Sequence, residues 1–346
     1  MESKRVTFYD WLRLLATVCV VIGHSFYLNN ETVYGGVNYL RLESAQDIYN
    51  TIYYNWGLKT VSWIYSFHMS LFFFLSGAVL SLKPIGTYEY FIAKKAGRLL
   101  IPYICVGYLF MLPMKYISGF YDDQGLKQAI RGLWRGIESG HLWFLPALFW
   151  DMIIFVAIYK VFGKIHLQKF VLPTALIVQY ACQWMPKDIL GLASGLSMFF
   201  WFVLGFEFEK KRERLAKFPV WIWIALLGAA IVTDCLIMRL VTVPVWTYIL
   251  VRGSIICILA YTCDRYLKSV AQTKVYKLTV KYLFDIYLYH DPLEYLILFC
   301  FFRWNIVSLK FGGYLLIFFR IIGVITFSIG LGCIVEKVKN LKRKAV

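Results

Sequence analysis

Long apolar segments alternate with short polar and basic segments along the whole chain. A helix rises about 1.5 Å per residue, so roughly 20 apolar residues cross a hydrocarbon core of about 30 Å. The pattern therefore predicts an all-α, polytopic integral membrane protein with about ten transmembrane helices in a single domain, residues 1–346. The predicted spans lie near residues 11–27, 61–82, 99–116, 141–162, 170–185, 190–208, 219–238, 244–263, 283–302 and 313–335.

The basic residues indicate which loops face the cytoplasm. The formal net charge is +17, and most of the 37 Lys and Arg residues lie in short clusters between apolar segments. Cytoplasmic loops are enriched in Lys and Arg, so Lys4, Arg5, the run at 209–217 and the basic tail are predicted to lie inside, together with both termini. This clustering argues against a nucleic-acid partner. The eight cysteines show no spacing typical of a zinc site or a disulfide framework, and no metal is predicted.

The first apolar segment carries ionisable residues at helical spacing. Arg13 and His24 are eleven residues apart, close to three turns, so they share a helix face with Asp10 and Thr17. His24 lies about 16 Å beyond Arg13 along the axis, deep in the hydrocarbon. An ionisable residue inside a membrane is a functional-site hypothesis. Arg13 reaching the headgroups and His24 packing between helices would also explain the pattern.

Histidine is the candidate general base, because a neutral imidazole accepts a hydroxyl proton near neutral pH. Four of the five histidines lie in or at the ends of predicted spans: His24, His68, His141 and His290. The fifth, His166, lies in a basic loop and is interpreted as solvated. The depth of His24 and the face it shares with an arginine make it the strongest candidate.

Six short motifs stand in order along most of the chain. They are the Asp10-x-x-Arg13 motif with its spacing to His24, FHMSLFFFLSG at 67–77, KAGRLLIPY at 95–103, HLWFLPAL at 141–148, FFWFVLGFEF at 199–208 and IYLYHDPLEYL at 286–296. Each alone is unspecific. In this order they resemble the motifs of the acyltransferase 3 family of membrane O-acyltransferases.

The resemblance implies a ten-helix protein that transfers an acyl group, usually acetyl from cytoplasmic acetyl-CoA, to a hydroxyl of a polysaccharide or lipid-linked glycan at the outer face. It implies a bacterial-type inner membrane as the location and membrane lipid as a partner. Lacking an appended SGNH-type esterase domain, the chain resembles the stand-alone members.

Two positions depart from the family pattern. Ser70 replaces a proline, and Lys95 replaces the first of two arginines, keeping the charge but losing bidentate phosphate geometry.

The resemblance also implies roles for individual residues. Acetyl-CoA carries phosphates on a long thin arm, so cationic side chains at cytoplasmic helix ends are predicted to bind it. His24 is predicted to deprotonate the acceptor hydroxyl or to carry the acetyl group itself. The residues predicted to bind the donor phosphates are Arg13, Lys95 and Arg98. The residues predicted to assist His24 are Asp10, His290 and Asp291, and those predicted to bind the acceptor are His68, His141, Trp143 and Glu294, of which Glu294 could also tune His24.

Other interpretations stay open from the sequence. The cationic residues could be topology anchors, His290 and Asp291 a structural polar pair, and Trp143 an interface or core residue. Ser76 and Gly77 are interpreted as residues of a close helix contact. A transporter would also explain charges in several spans, although no matched repeats or broken helices are evident. Acyl transfer to a small molecule or protein is another alternative, and the sugar, the acyl chain and a homo-oligomeric state are not identified.

Overall fold

The computed structural model describes residues 6–32, 34–50, 52–121, 123–164, 166–185, 188–215, 217, 219–237 and 245–344, and these are almost entirely helical. Lys4 and Arg5, and the short turn predicted between the seventh and eighth spans, lie outside these residues. The helices are α1 (Thr7–Ser25), α2 (Glu43–Asn50), α3 (Ile52–Tyr65), α4 (His68–Ser81), α5 (Tyr88–Val106), α6 (Leu112–Ile117), α7 (Asp123–Arg135), α8 (Phe144–Lys164), α9 (Val171–Ala181), α10 (Leu192–Leu196), α11 (Phe199–Leu215), α12 (Val220–Ile237), α13 (Val245–Tyr266), α14 (Lys268–Gln272), α15 (Lys274–Lys281), α16 (Leu283–Arg303), α17 (Gly312–Phe318) and α18 (Val324–Lys344). The strands are β1 (Asn29–Thr32) and β2 (Gly35–Asn38), and π-helical turns cover Gly107–Met111 and Phe319–Gly323.

Apolar helices of membrane-spanning length are present, which confirms the predicted all-α, membrane-type class in outline. Three segments of the described chain have the length and composition of a span, and an interrupted pair of helices forms a fourth. These segments are Tyr88–Ile117, Gln124–Lys164, Gly312–Leu341 and the pair Tyr54–Tyr65 with His68–Ser81. α16, which covers the predicted ninth span, is more polar, since it contains Asp285, Asp291 and Glu294. The count of about ten spans and the cytoplasmic placement of the termini stay predictions.

The second predicted span, residues 61–82, is interrupted where a continuous helix was predicted. α3 ends at Tyr65 and α4 begins at His68. At the interruption, the hydroxyl of Ser66 accepts a hydrogen bond from Nη1 of Arg252 at 2.7 Å. Nε of Arg252 lies 2.7 Å from the carboxylate of Asp234. Arg252, which lies within residues 244–263 of the predicted eighth span, is therefore paired with a carboxylate and hydrogen-bonded to the interruption of the second span.

In its described residues, 29–32, 34–50 and 52–59, the segment between the first two predicted spans contains strands and helices. Its β1 and β2 strands pair antiparallel, with Asn29 opposite Asn38. Gly36 has a φ of +149°, and a side chain there would collide with the backbone of Asn30. The amide of Gly36 also donates to the carbonyl of Phe120 at 2.9 Å. This glycine therefore lets the turn lie directly against the chain that precedes α7.

The chain folds into two compact units, each assembled from separate stretches. The first contains the described residues within 1–16, 65–104 and 134–268, and the second those within 17–64, 105–133 and 269–346. In the first unit α4 packs closely against α11. A side chain at Gly77 would collide with the carbonyl of Phe202, and one at Gly205 with that of Phe74. The two backbones touch through these glycines, which confirms the interpretation of Gly77 as a helix-contact residue.

α16 is the central helix of the second unit. It packs against α18, α6 and α17. Gly332 of α18 lets the two long helices approach, since a Cβ there would lie 2.8 Å from the carboxyl carbon of Asp285 in α16. The π-helical turn Phe319–Gly323 stands between α17 and α18 and contains Arg320, which is 1% exposed. Such turns re-aim a side chain within a helix and are frequent at functional sites.

Candidate active site

His24 and Asp291 form a polar pair inside the second unit. His24 lies in the last turn of α1, and Asp291 lies in α16. Nδ1 of His24 is 2.9 Å from Oδ1 of Asp291, and the two side chains are 19% and 5% exposed. A carboxylate that accepts a hydrogen bond from Nδ1 fixes the tautomer in which Nε2 is the basic nitrogen. It also stabilises the imidazolium that forms when Nε2 takes a proton.

His290 packs edge-on against the ring of His24. The ring centroids are 5.0 Å apart, and the ring planes are inclined by 81°. His290 is buried, and its Nδ1 lies 3.1 Å and 2.9 Å from the carbonyl oxygens of Ile286 and Tyr287, to which it donates. Because the backbone holds the ring of His290, packing against that ring restricts the orientation of His24. The structure therefore brings together three residues predicted for catalysis, His24, His290 and Asp291.

Arg320 contacts both Glu294 of α16 and the end of α1. Glu294 follows Asp291 by about one helical turn, and its Oε2 is 3.4 Å from Nη2 of Arg320. Arg320 also donates to the carbonyl oxygens of His24 and Tyr27, at 2.9 Å and 2.6 Å. Arg320 is not among the residues predicted for the site. The signal was present, because an arginine inside an apolar span is the feature that singled out Arg13.

Cationic side chains converge in the first unit. Partial burial, together with the positive charges of Arg98, Arg13 and Lys94, lowers the pKa of Lys83 from its ordinary value. Lys95 lies within electrostatic range of Arg98, Lys83 and Lys94. Like charges gathered at one place favour a polyanion as partner. The structure thus groups the three residues predicted to bind phosphates and adds Lys83, which directly follows the second predicted span.

The histidines and tryptophan predicted to bind the acceptor lie at helix starts in the first unit. His68 begins α4, is buried, and has its ring centroid 4.6 Å from that of Tyr65. His141 and Trp143 lie in the 3-10 turn ahead of α8 and are half-buried. The ring of Trp143 lies 6.3 Å from that of Phe73. That contact gives Trp143 a packing role beside any role with a sugar.

The predicted residues are divided between the two units. Asp10 lies 3.9 Å from Arg13, where its carboxylate offsets part of the cationic charge. The first unit holds Asp10, Arg13, His68, Lys95, Arg98, His141 and Trp143. The second holds His24, His290, Asp291 and Glu294. The groups suited to bind an anion therefore belong to the first unit, and the groups suited to transfer a proton belong to the second.

Comparison with known protein families identifies the chain. A family model described as an acyltransferase domain, acyltransferase 3, matches residues 6–334. Comparisons with curated proteins and with solved structures give no match. The match covers nearly the whole sequence and confirms the resemblance carried by the six motifs. The chain therefore belongs to the acyltransferase 3 family.

Proposed function

We propose that this protein is an O-acetyltransferase of a bacterial inner membrane. It would move acetyl from cytoplasmic acetyl-CoA to a hydroxyl of a cell-surface polysaccharide or its lipid-linked precursor. The family suggests membrane O-acyl transfer in general terms. The observation that carries the proposal is the 2.9 Å contact between His24 and Asp291, because it equips an imidazole as a base within an acyltransferase domain.

In the proposed reaction His24 is the general base. Its Nε2 takes the proton of the acceptor hydroxyl while the hydroxyl oxygen attacks the thioester carbonyl carbon. The tetrahedral intermediate then breaks its carbon–sulfur bond, leaving the acetyl ester and the thiolate of CoA. The thiolate takes the proton from the imidazolium, which restores neutral His24. Asp291 stabilises the imidazolium between these two proton transfers.

His24 could instead carry the acetyl group. Attack of Nε2 on the thioester would form an acetyl-imidazole and release CoA, and the acceptor hydroxyl would then displace the imidazole. The two routes differ in one measurable respect. Enzyme mixed with labelled acetyl-CoA without acceptor retains label at His24 only if the histidine is an acyl carrier.

The cationic cluster of the first unit supports acetyl-CoA as the donor. Arg13 and Arg98 offer the planar fork that binds phosphate through two hydrogen bonds. Lys83 and Lys95 add charge without that geometry. Arg98 and Lys83 are exposed, so a phosphate group can reach them from solvent. We propose this cluster as the site of the CoA phosphates, and the half-buried His141 and Trp143, together with His68, as acceptor contacts.

The test is acetyl transfer from labelled acetyl-CoA by membranes that contain the protein. We expect labelled glycan whose label is released by mild alkali, as an ester requires. His24→Ala should lower this transfer by roughly 10²-fold or more, the usual scale of general base catalysis, and should still bind donor. His166→Ala, which changes an exposed histidine in a loop, is the matched control and should transfer normally. Absence of any ester product, as a transporter would give, contradicts the proposal.

A further inference from the structure

Arg320 is a fully buried arginine in an otherwise apolar segment. It is 1% exposed and therefore does not reach toward headgroups or water. A charge at this position is costly unless polar groups surround it. The π-helical turn Phe319–Gly323 places its side chain against three oxygen atoms of the second unit.

One of these oxygens belongs to the last turn of α1, and another to the chain two residues beyond that helix. Nη1 of Arg320 donates to the carbonyl of Tyr27 at 2.6 Å, and Nη2 donates to the carbonyl of His24 at 2.9 Å. The carbonyl of His24, which also accepts from the amide of Tyr27 at 3.2 Å, lies at the negative end of α1, where a cation is favoured. The guanidinium supplies its two hydrogen bonds and its charge from one rigid group. Arg320 therefore caps α1 at the residue proposed as the base.

The third oxygen belongs to α16. Oε2 of Glu294 lies 3.4 Å from Nη2 of Arg320, and both side chains are 1% exposed. Glu294 is on the same helix as Asp291, about one turn further. Arg320 thus connects the end of the helix that carries His24 to the helix that carries Asp291.

We infer that Arg320 is a positioning residue, held by Glu294, that fixes the end of α1 so that His24 stays against Asp291. The inference rests on the proposed function for the role of His24. A displacement of about 1 Å in a catalytic group can lower turnover by about 10²-fold. Loss of Arg320 should therefore lower kcat while the KM for acetyl-CoA is unchanged, because the cationic cluster lies in the first unit.

The experiment compares variants that leave no buried charge without a counter-charge. Arg320→Met with Glu294→Gln removes the pair together, since removing one partner alone strands the other. Arg252→Met with Asp234→Asn removes an ion pair of the first unit whose arginine is buried, and controls for general destabilisation. Arg303→Gln, at the exposed end of α16, controls for loss of one charge. Arg320→Lys keeps the charge without the fork.

Three quantities are measured on each purified protein: acetyl-transfer kinetics, melting temperature, and the rate at which diethyl pyrocarbonate modifies His24, followed by mass spectrometry. The Arg320/Glu294 double variant should lose about 10²-fold in kcat, keep its donor KM, and show faster modification of His24. Arg320→Lys should have a kcat between that of the double variant and that of wild type. The Arg252/Asp234 double variant should keep the modification rate of His24 even where it melts as early.

The outcomes separate this inference from the proposed function. Faster modification of His24 in a protein that transfers no acetyl supports the positioning role and rejects the function. Wild-type kcat per folded molecule with an unchanged modification rate overturns the positioning role. If the double variant does not fold, Arg320→Lys is the deciding variant. The inference requires diethyl pyrocarbonate to modify His24 faster in Arg320→Lys than in wild type or in Arg303→Gln.

Discussion

An imidazole inside a membrane segment needs polar partners, because a polar group left unsatisfied in hydrocarbon costs several kcal/mol. His24 has a carboxylate oxygen of Asp291 at 2.9 Å and the ring of His290 at 5.0 Å. The contact with Asp291 both satisfies the hydrogen-bonding need of the imidazole and makes it a better base. The carboxylate that makes burial of His24 tolerable also orients Nδ1 and stabilises positive charge on the ring.

Asp291→Asn tests that coupling. The amide keeps the shape of the side chain but removes the negative charge that stabilises the imidazolium, so acetyl transfer should fall by about 10²-fold or more. The measurement is kcat at saturating donor and acceptor. Asp285→Asn changes another acidic residue of α16 and should transfer at the wild-type rate. Equal activity of the two variants would exclude Asp291 from the reaction.

Arg98→Gln tests the cationic cluster. A hydrogen bond to a charged group contributes about 1.5–3 kcal/mol, so the KM for acetyl-CoA should rise roughly tenfold or more. kcat should change little, because the cluster binds the donor and does not touch the transferred group. Raising salt should weaken donor binding by wild type more than by the variant. Lys169→Gln, an exposed lysine in a predicted cytoplasmic loop, is the control, and an equal effect on KM there would reduce Arg98 to a topology anchor.

The sequence indicates which residues are chemically suited to the site, but not which of them meet. His24, His290, Asp291 and Arg98 stand out because apolar segments make ionisable residues conspicuous. The contact between His24 and Asp291 joins helices at opposite ends of the chain, and neither periodicity nor spacing encodes it. An arginine in an apolar span marks Arg320 as unusual, but the sequence does not show that its partners are Glu294 and the carbonyls at the end of α1.

At the scale of the helix, the crossing of α4 and α11 is set by glycines. A Cβ on Gly205 would collide with the carbonyl of Phe74, so the backbones can be this close only without side chains. Gly205→Ala should force the helices apart and cost about 1–3 kcal/mol of stability. Gly253→Ala, in α13, meets nothing within 4 Å and should unfold at or above the wild-type temperature. Thermal unfolding in one detergent compares them, and equal melting temperatures would contradict the close contact.

Helix interruptions were the least predictable elements. The break between α3 and α4 falls in an apolar run without Gly or Pro at residues 61–68, so hydrophobicity predicts a continuous span. The partner that holds it, Arg252, comes from a distant helix. The π-helical turn at Arg320 likewise follows from tertiary contacts and leaves no mark in the apolar pattern. Element type was therefore predictable, whereas the irregular turns that aim the polar side chains were not.

At the scale of the whole molecule, composition and motif order predicted the class and the family. The family match across residues 6–334 confirms the motifs, and the helical structure confirms the all-α class in outline. Each compact unit draws on stretches from both halves of the sequence. Segments that interleave in this way cannot be separated at a linker, and the sequence shows none. The single transmembrane domain and the number of spans stay predictions.

Topology is the prediction that tests the whole assignment. If spans alternate as the basic clusters predict, residues 117–140 lie outside and residues 209–217 lie inside. Lys127 and Glu213 are exposed residues of these two segments and can each be changed to Cys. Cys105 and Cys235, which are exposed, must first be replaced so that they do not react. A membrane-impermeant maleimide should label Lys127→Cys in intact cells and Glu213→Cys only after permeabilisation. The reverse labelling pattern would mean that the topology is inverted. The cationic cluster would then face the side where acetyl-CoA is absent, which would contradict the proposed donor site.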